Sequence, residues 1–81
     1  MTQAPTLEQL ETLAVTGRRL REWRRFRRRT QSEVAVAVGI TQASVSNYEL
    51  GRRDPGISTL LGVADYLEVP QGDLLTALPP A

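Results

Sequence analysis

The chain has 81 residues, ten arginines, no lysine, nine acidic residues and a formal net charge of +1. It contains neither cysteine nor histidine, which excludes disulfides and any thiolate- or imidazole-bound metal, and removes the side chains most used as nucleophile or general base near neutral pH. The length supports one domain of marginal stability, roughly 5 kcal/mol, and no apolar run approaches the roughly 18 residues of a membrane-spanning helix.

The first residues, Met1 to Pro5, lack the basic flank and apolar block of a secretory leader, so none is expected. Thr6-Leu7-Glu8-Gln9 has the form of a capping box. Leu7, Leu10, Leu13 and Ala14 then recur at helical spacing, which predicts an N-terminal helical extension over residues 1–16. Gly17 is expected to break or bend the path into the next helix.

A second helix is expected from about Arg18 to Arg28, with Leu20, Trp23 and Phe26 on its apolar side. The stem of Arg27 falls along that side with its head in water. Arg18, Arg21, Arg25 and Arg28 make a basic stripe opposite. Eight of the ten arginines lie within residues 18–29, where the only acid is Glu22. Such asymmetry fits either an anionic partner or a solvated helix face.

Thr30-Gln31-Ser32-Glu33 is a second capping box, opening a short helix whose Val34, Ala35 and Val38 face inward. Gly39 stops it. Thr41 caps the next helix, residues 42–50, which ends at Gly51. Asp54-Pro55-Gly56 is a turn. Ile57, Leu60, Leu61, Ala64 and Leu67 mark an amphipathic helix. A last short helix after Pro70 carries Leu74 and Leu75, and residues 77–81 are expected to be a frayed tail. No strand alternation persists, so the fold class is all-α. There is no internal repeat, and no G-x-S-x-G, Walker-type loop or paired-carboxylate pattern appears, so an enzyme is not expected and no cofactor is implied.

Ala35, Gly39 and Val45 supply a small residue, a tight turn and a wedge between two short helices. That trio suits a helix-turn-helix and also an ordinary αα-hairpin. A wider set settles on the former. Gly17, Leu20, Arg24, Gln31, Glu33, Val34, Ala35, Gly39, Val45, Tyr48, Glu49, Gly51, Pro55, Leu60, Leu61, Ala64, Leu67, Val69 and Leu74 follow, in order and spacing, the pattern of the Cro/repressor helix-turn-helix proteins, the Xre family, which the chain therefore resembles over residues 17–75.

The resemblance implies a compact five-helix lambda-repressor-like DNA-binding domain over residues 17–76, with the extension as an extra N-terminal helix. It implies that the second helix of the motif enters the major groove of double-stranded DNA, the arrangement for which phage repressors and Cro are standard examples. Base contacts are then expected from Gln42, Ala43, Ser44, Ser46 and Asn47, with Gln42 and Asn47 as readers of adenine. Phosphate contacts are expected from Thr30 and Gln31 at a helix start, from Arg28 and Arg29 beside it, and from Arg52 and Arg53 in the following loop. Arg24 and Glu49 fall where related repressors carry an interior ion pair.

The pattern has a glycine followed by leucine or methionine where this chain has Arg28 and Arg29. A helix stop and a core plug are thereby lost. Phe26 is expected to replace the plug, and Arg28 to take a left-handed conformation. The functional expectation is a cytoplasmic, nucleoid-associated transcriptional regulator, a repressor or autoregulator, binding a palindromic operator as a homodimer. The dimer surface is expected on the N-terminal helix or on Leu74, Leu75 and Leu78. An antitoxin-type module with a protein partner, or a nonspecific nucleic-acid binder acting through the arginine stripe, is the alternative.

Overall fold

A capping box at Thr6 starts the first helix: the Thr6 hydroxyl accepts from Gln9 N–H, and the Gln9 side chain accepts from Thr6 N–H. In the computed structural model, which describes residues 3–80, that helix does not stop at Gly17. It continues as α1, Leu7–Phe26. The expected N-terminal extension is helical but is simply the first half of α1, so the described residues hold five helices where an extra one had been expected.

Gly17 is required for a different reason. A Cβ there would lie 2.4 Å from the Tyr48 carbonyl oxygen and 2.7 Å from that of Glu49. The missing side chain is the space in which the end of the third helix touches α1. A mid-helix glycine costs about 0.5–1 kcal/mol relative to alanine, and this packing offsets it.

The remaining helices are α2, Gln31–Val38; α3, Gln42–Glu49; α4, Gly56–Leu67; and α5, Gln71–Thr76. α1 lies across α3 and α5, while α2 packs on α3 and α4. The core is Leu20, Trp23, Val34, Ala35, Val45, Leu60, Val63, Ala64, Leu67, Val69 and Leu74. Burial of a leucine such as Leu67 contributes about 1.5–3 kcal/mol.

Two core expectations are corrected. Phe26 is 42% exposed and does not plug the core. It stands edge-on to Trp23, ring centroids 5.7 Å apart, and the Arg27 guanidinium lies 5.4 Å from its ring centre. Trp23, one turn earlier, is the residue that enters the core. Ile57 is 62% exposed, because α4 buries the face of Leu60, Val63, Ala64 and Leu67, and Ile57 sits round the edge of that arc. Leu74 is buried, so it is not free as a dimer surface, whereas Leu78 is half exposed. α5 and the residue that follows it are tied to α1: Arg19 Nη1 donates to the Leu75 carbonyl, and Trp23 Nε1 to that of Ala77 at 3.0 Å.

Four helices end in one way. A residue in the left-handed region is followed by an N–H reaching back five residues: Arg29 to Arg24, Ile40 to Ala35, Arg52 to Asn47, and Val69 to Ala64. Gly39 and Gly51 supply the left-handed residue at two of these stops. Arg28 and Glu68, both at φ 56°, supply it at the others. The expected strain at Arg28 is therefore present, and Arg27 Nη2, predicted to escape to water, donates to the Glu68 carbonyl at 2.9 Å.

Gly17→Ala is expected to destabilise the fold by about 1–3 kcal/mol, since backbone rather than a flexible side chain must give way. Arg28→Gly is expected to stabilise it by about 0.5–1 kcal/mol, by relieving the left-handed conformation. Thermal melts of both variants beside the parent check the pair; an unchanged midpoint for Gly17→Ala would contradict the close approach of α1 and α3.

Candidate nucleic-acid interface

The motif is built by α2 and α3. Ala35 is small and buried where the helices approach, Gly39 turns the chain at φ 74°, and Val45 fills the wedge between them. Thr30 caps α2, its hydroxyl accepting from Glu33 N–H, while the Glu33 carboxylate accepts from Thr30 N–H at 2.9 Å. That backbone hydrogen bond and then the Thr30 hydroxyl hold the Glu33 carboxyl below its ordinary pKa against the opposing effect of desolvation, with Arg29, 3.8 Å away, the least of the causes. Thr41 caps α3 and closes a tight pair with Ser44: its hydroxyl accepts from Ser44 N–H and donates to the Ser44 hydroxyl. Both caps leave N–H groups of the first turns free at the positive ends of two neighbouring helices.

A chain of polar side chains links the core to this surface. Arg24 Nε donates to Glu49 Oε2 at 2.6 Å, and Arg24 Nη2 to Glu49 Oε1 at 3.0 Å. The side chains are 14% and 5% exposed, so the pair is nearly desolvated. Arg24 Nη1 donates to the Arg29 carbonyl at 2.8 Å. Gln31 Nε2 also donates to Glu49 Oε1, at 3.0 Å, and Gln42 Nε2 approaches Gln31 Oε1 at a longer 3.4 Å. The expected Arg24–Glu49 pair is therefore present, and it reaches two of the expected DNA-contacting residues. The bond from Gln31 to Glu49 had no signature in the sequence, because 18 residues and two helices separate the two.

Gln42 and Ala43 are exposed, and Ser46 and Asn47 are half-buried on the outer side of α3. Ser44 is half-buried and held by Thr41. Arg52 and Arg53 are exposed in the loop after α3. Arg28 and Arg29 are exposed at the start of α2, but Arg29 leans sideways, 3.8 Å from Glu33 and with its guanidinium 5.8 Å from the Tyr66 ring centre. Tyr66 on α4 was not anticipated as a neighbour of that arginine. No helix among the described residues is long and apolar enough to cross a membrane.

A family model described as a helix-turn-helix domain matches residues 16–78. The chain is 40% identical over 62 residues to RghRB, an HTH-type transcriptional regulator of Bacillus subtilis, covering 75% of this chain and 45% of that protein. It is 36% identical over 50 residues to another from the same organism, YqaE, covering 62% and 43%. The chain thus spans less than half the length of these curated relatives. The restriction-modification controller protein C.AhdI of Aeromonas hydrophila superposes with a TM-score of 0.78 at 27% identity, over 83% of this chain and 97% of that one. The clp gene regulator ClgR of C. glutamicum does so at 0.76 and 25%, over 89% and 87%. With the motif's geometry, the family model and these relatives in agreement, the chain belongs to the Xre-type helix-turn-helix family of DNA-binding transcriptional regulators.

Proposed function

We propose that this protein binds a palindromic operator in double-stranded DNA as a homodimer and represses transcription from it. The observation that carries the reading is the placement of Gln42: exposed on the first turn of α3, and next to Gln31 on the first turn of α2. An amide there matches the donor and acceptor that adenine offers in the major groove. Ala43, Asn47 and Ser46 complete the base-facing surface, with Ala43 suited to a thymine methyl. Ser44 stands beside them, within reach of a base or a phosphate. Thr30, Gln31, Arg28, Arg29, Arg52 and Arg53 ring this surface and meet the backbone, which fixes register without reading sequence. Repression and dimerisation rest on likeness to regulators of similar size, among them a restriction-modification controller. The exposed Leu7, Leu10 and Val15 on α1 leave its first half as the candidate dimer surface.

Selection of bound sites from a random duplex library tests the proposal. An enriched palindrome with half-sites about 10–10.5 bp apart is expected; enrichment of nothing would favour a nonspecific binder or a protein-binding module. On the selected site, Gln42→Ala is expected to cost about 1–3 kcal/mol and to relax preference at one base position, with little change in melting.

Arg24 and Arg53 separate architecture from contact. Arg24→Ala is expected to destabilise the fold by about 3–5 kcal/mol, because it leaves the Glu49 charge buried and unpaired. Arg53→Ala is expected to melt like the parent, weaken binding nearly equally on all sequences, and lower the log–log salt slope by about one. Titrations at several salt concentrations beside thermal melts decide this; an Arg24→Ala protein that keeps its melting point while losing salt dependence would move Arg24 into the phosphate-binding group.

A further inference from the structure

We propose that Glu49 is a positioning residue for base recognition: it fixes which way round the Gln31 amide lies, and thereby which edge Gln42 presents to DNA. The inference rests on the reading of Gln42 as a base-contacting residue and goes beyond it, since Glu49 is nearly buried and is not expected to touch DNA.

The argument begins with what a carboxylate can do. Ionised Glu49 only accepts hydrogen bonds. Its Oε1 already takes one from Arg24 Nη2 and takes a second from Gln31, which must therefore turn its NH2 end inward. A glutamine amide otherwise has two nearly equivalent orientations. Here one is excluded, because it would set the Gln31 carbonyl oxygen against the carboxylate. The Gln31 oxygen is left facing out toward Gln42, whose NH2 group is the end that approaches it, at 3.4 Å.

The consequence passes to Gln42. On this proposal the bond to Gln31 uses the amide proton on the side away from the Gln42 oxygen. The other proton and the oxygen remain side by side, one donor and one acceptor. Adenine offers the complementary N7 acceptor and N6 donor, whereas guanine offers two acceptors and would set its O6 against the Gln42 oxygen. With Gln31 reversed, the Gln42 oxygen would be drawn to the Gln31 NH2 and two N–H groups would face outward, a pattern that suits guanine. A buried charge thus selects between two purines without reaching either. Arg24 serves the same end: its two bonds to Glu49 and one to the Arg29 carbonyl keep the carboxylate in place at the start of α2.

The test uses the full chain and four duplexes that differ only at the position where Gln42→Ala relaxes preference. Three variants interrupt the relay at different places. Glu49→Asp keeps a charge opposite Arg24 but withdraws it from Gln31 by one methylene. The double variant Arg24→Met/Glu49→Met removes the acceptor without leaving a lone buried charge. Gln31→Met removes the amide and leaves the ion pair. Each is checked for folding by thermal melt, and Glu49→Asp, the mildest, carries the test if the double variant does not fold. The expected result is a fall of at least about fivefold in the preference for adenine over guanine at that position in every folded variant. A folded Glu49→Asp or double variant that weakens binding equally on all four duplexes, with the purine ratio kept, overturns the proposal and leaves Glu49 a purely structural residue. A change in Gln31→Met alone overturns it equally, since Gln31 would then act without Glu49. If Gln42→Ala shows no relaxed position at all, the assignment of Gln42 itself fails, a result distinct from either of these.

Discussion

The guanidinium of Arg24 is the point at which α1, the start of α2 and the end of α3 are joined. It sits on α1, grips Glu49 at the end of α3 with two nitrogens, and holds the carbonyl of Arg29 with the third. The end of α3, the residue before Thr30 and α1 meet at one planar fork, a geometry that lysine, with its single point charge, does not reproduce. Both partners are almost removed from water, so neither tolerates the loss of the other. This knot ties the start of α2 and the end of α3 to α1, and no buried side-chain nitrogen or oxygen among the described residues is left without a partner.

The arginine cluster proves to be several devices under one composition. Of the eight arginines in residues 18–29, Arg19 and Arg27 clamp carbonyl oxygens of the C-terminal segment and the end of α4. Arg24 makes the interior pair, and Arg29 lies against Glu33 and Tyr66. Arg18, Arg21, Arg25 and Arg28 remain exposed. A charge count along the chain therefore overstates the field presented to a polyanion, because some of the charge is spent internally on satisfying backbone oxygens that helix ends leave open.

The features legible in the sequence were those encoded locally. The capping boxes at Thr6 and Thr30 and the stops at Gly39 and Gly51 each depend on a few neighbouring residues and a fixed spacing, and each was found as read. The ion pair was legible only through the family pattern, since nothing local relates Arg24 to Glu49. Gly17 was misread because its role is tertiary: glycine ends helices often enough to be taken as punctuation, and the backbone crowding that demands it here lies on another helix. Phe26 and Ile57 were assigned to the core for a related reason. Helical periodicity gives a face but not the arc of that face which neighbours cover, and one step round the helix separates buried Trp23 and Leu60 from the rim. The amide chain from Glu49 to Gln42 had no sequence signal, being made by the meeting of two helix starts and one helix end.

The continuity of α1 has a mechanical meaning. Its first turns lean on Gly51, where a Cβ would lie 3.0 Å from the Cα of Ala14, so two backbones touch with no side chain between them. Side chains absorb small movements by changing rotamer, whereas apposed backbones transmit them. The first half of α1 thus bears, three residues before Gly17, directly on the backbone of the loop that carries Arg52 and Arg53. A load placed on Leu7 or Leu10 passes through Ala14, about two and a half turns of helix before the core residue Trp23, to the segment that follows α3.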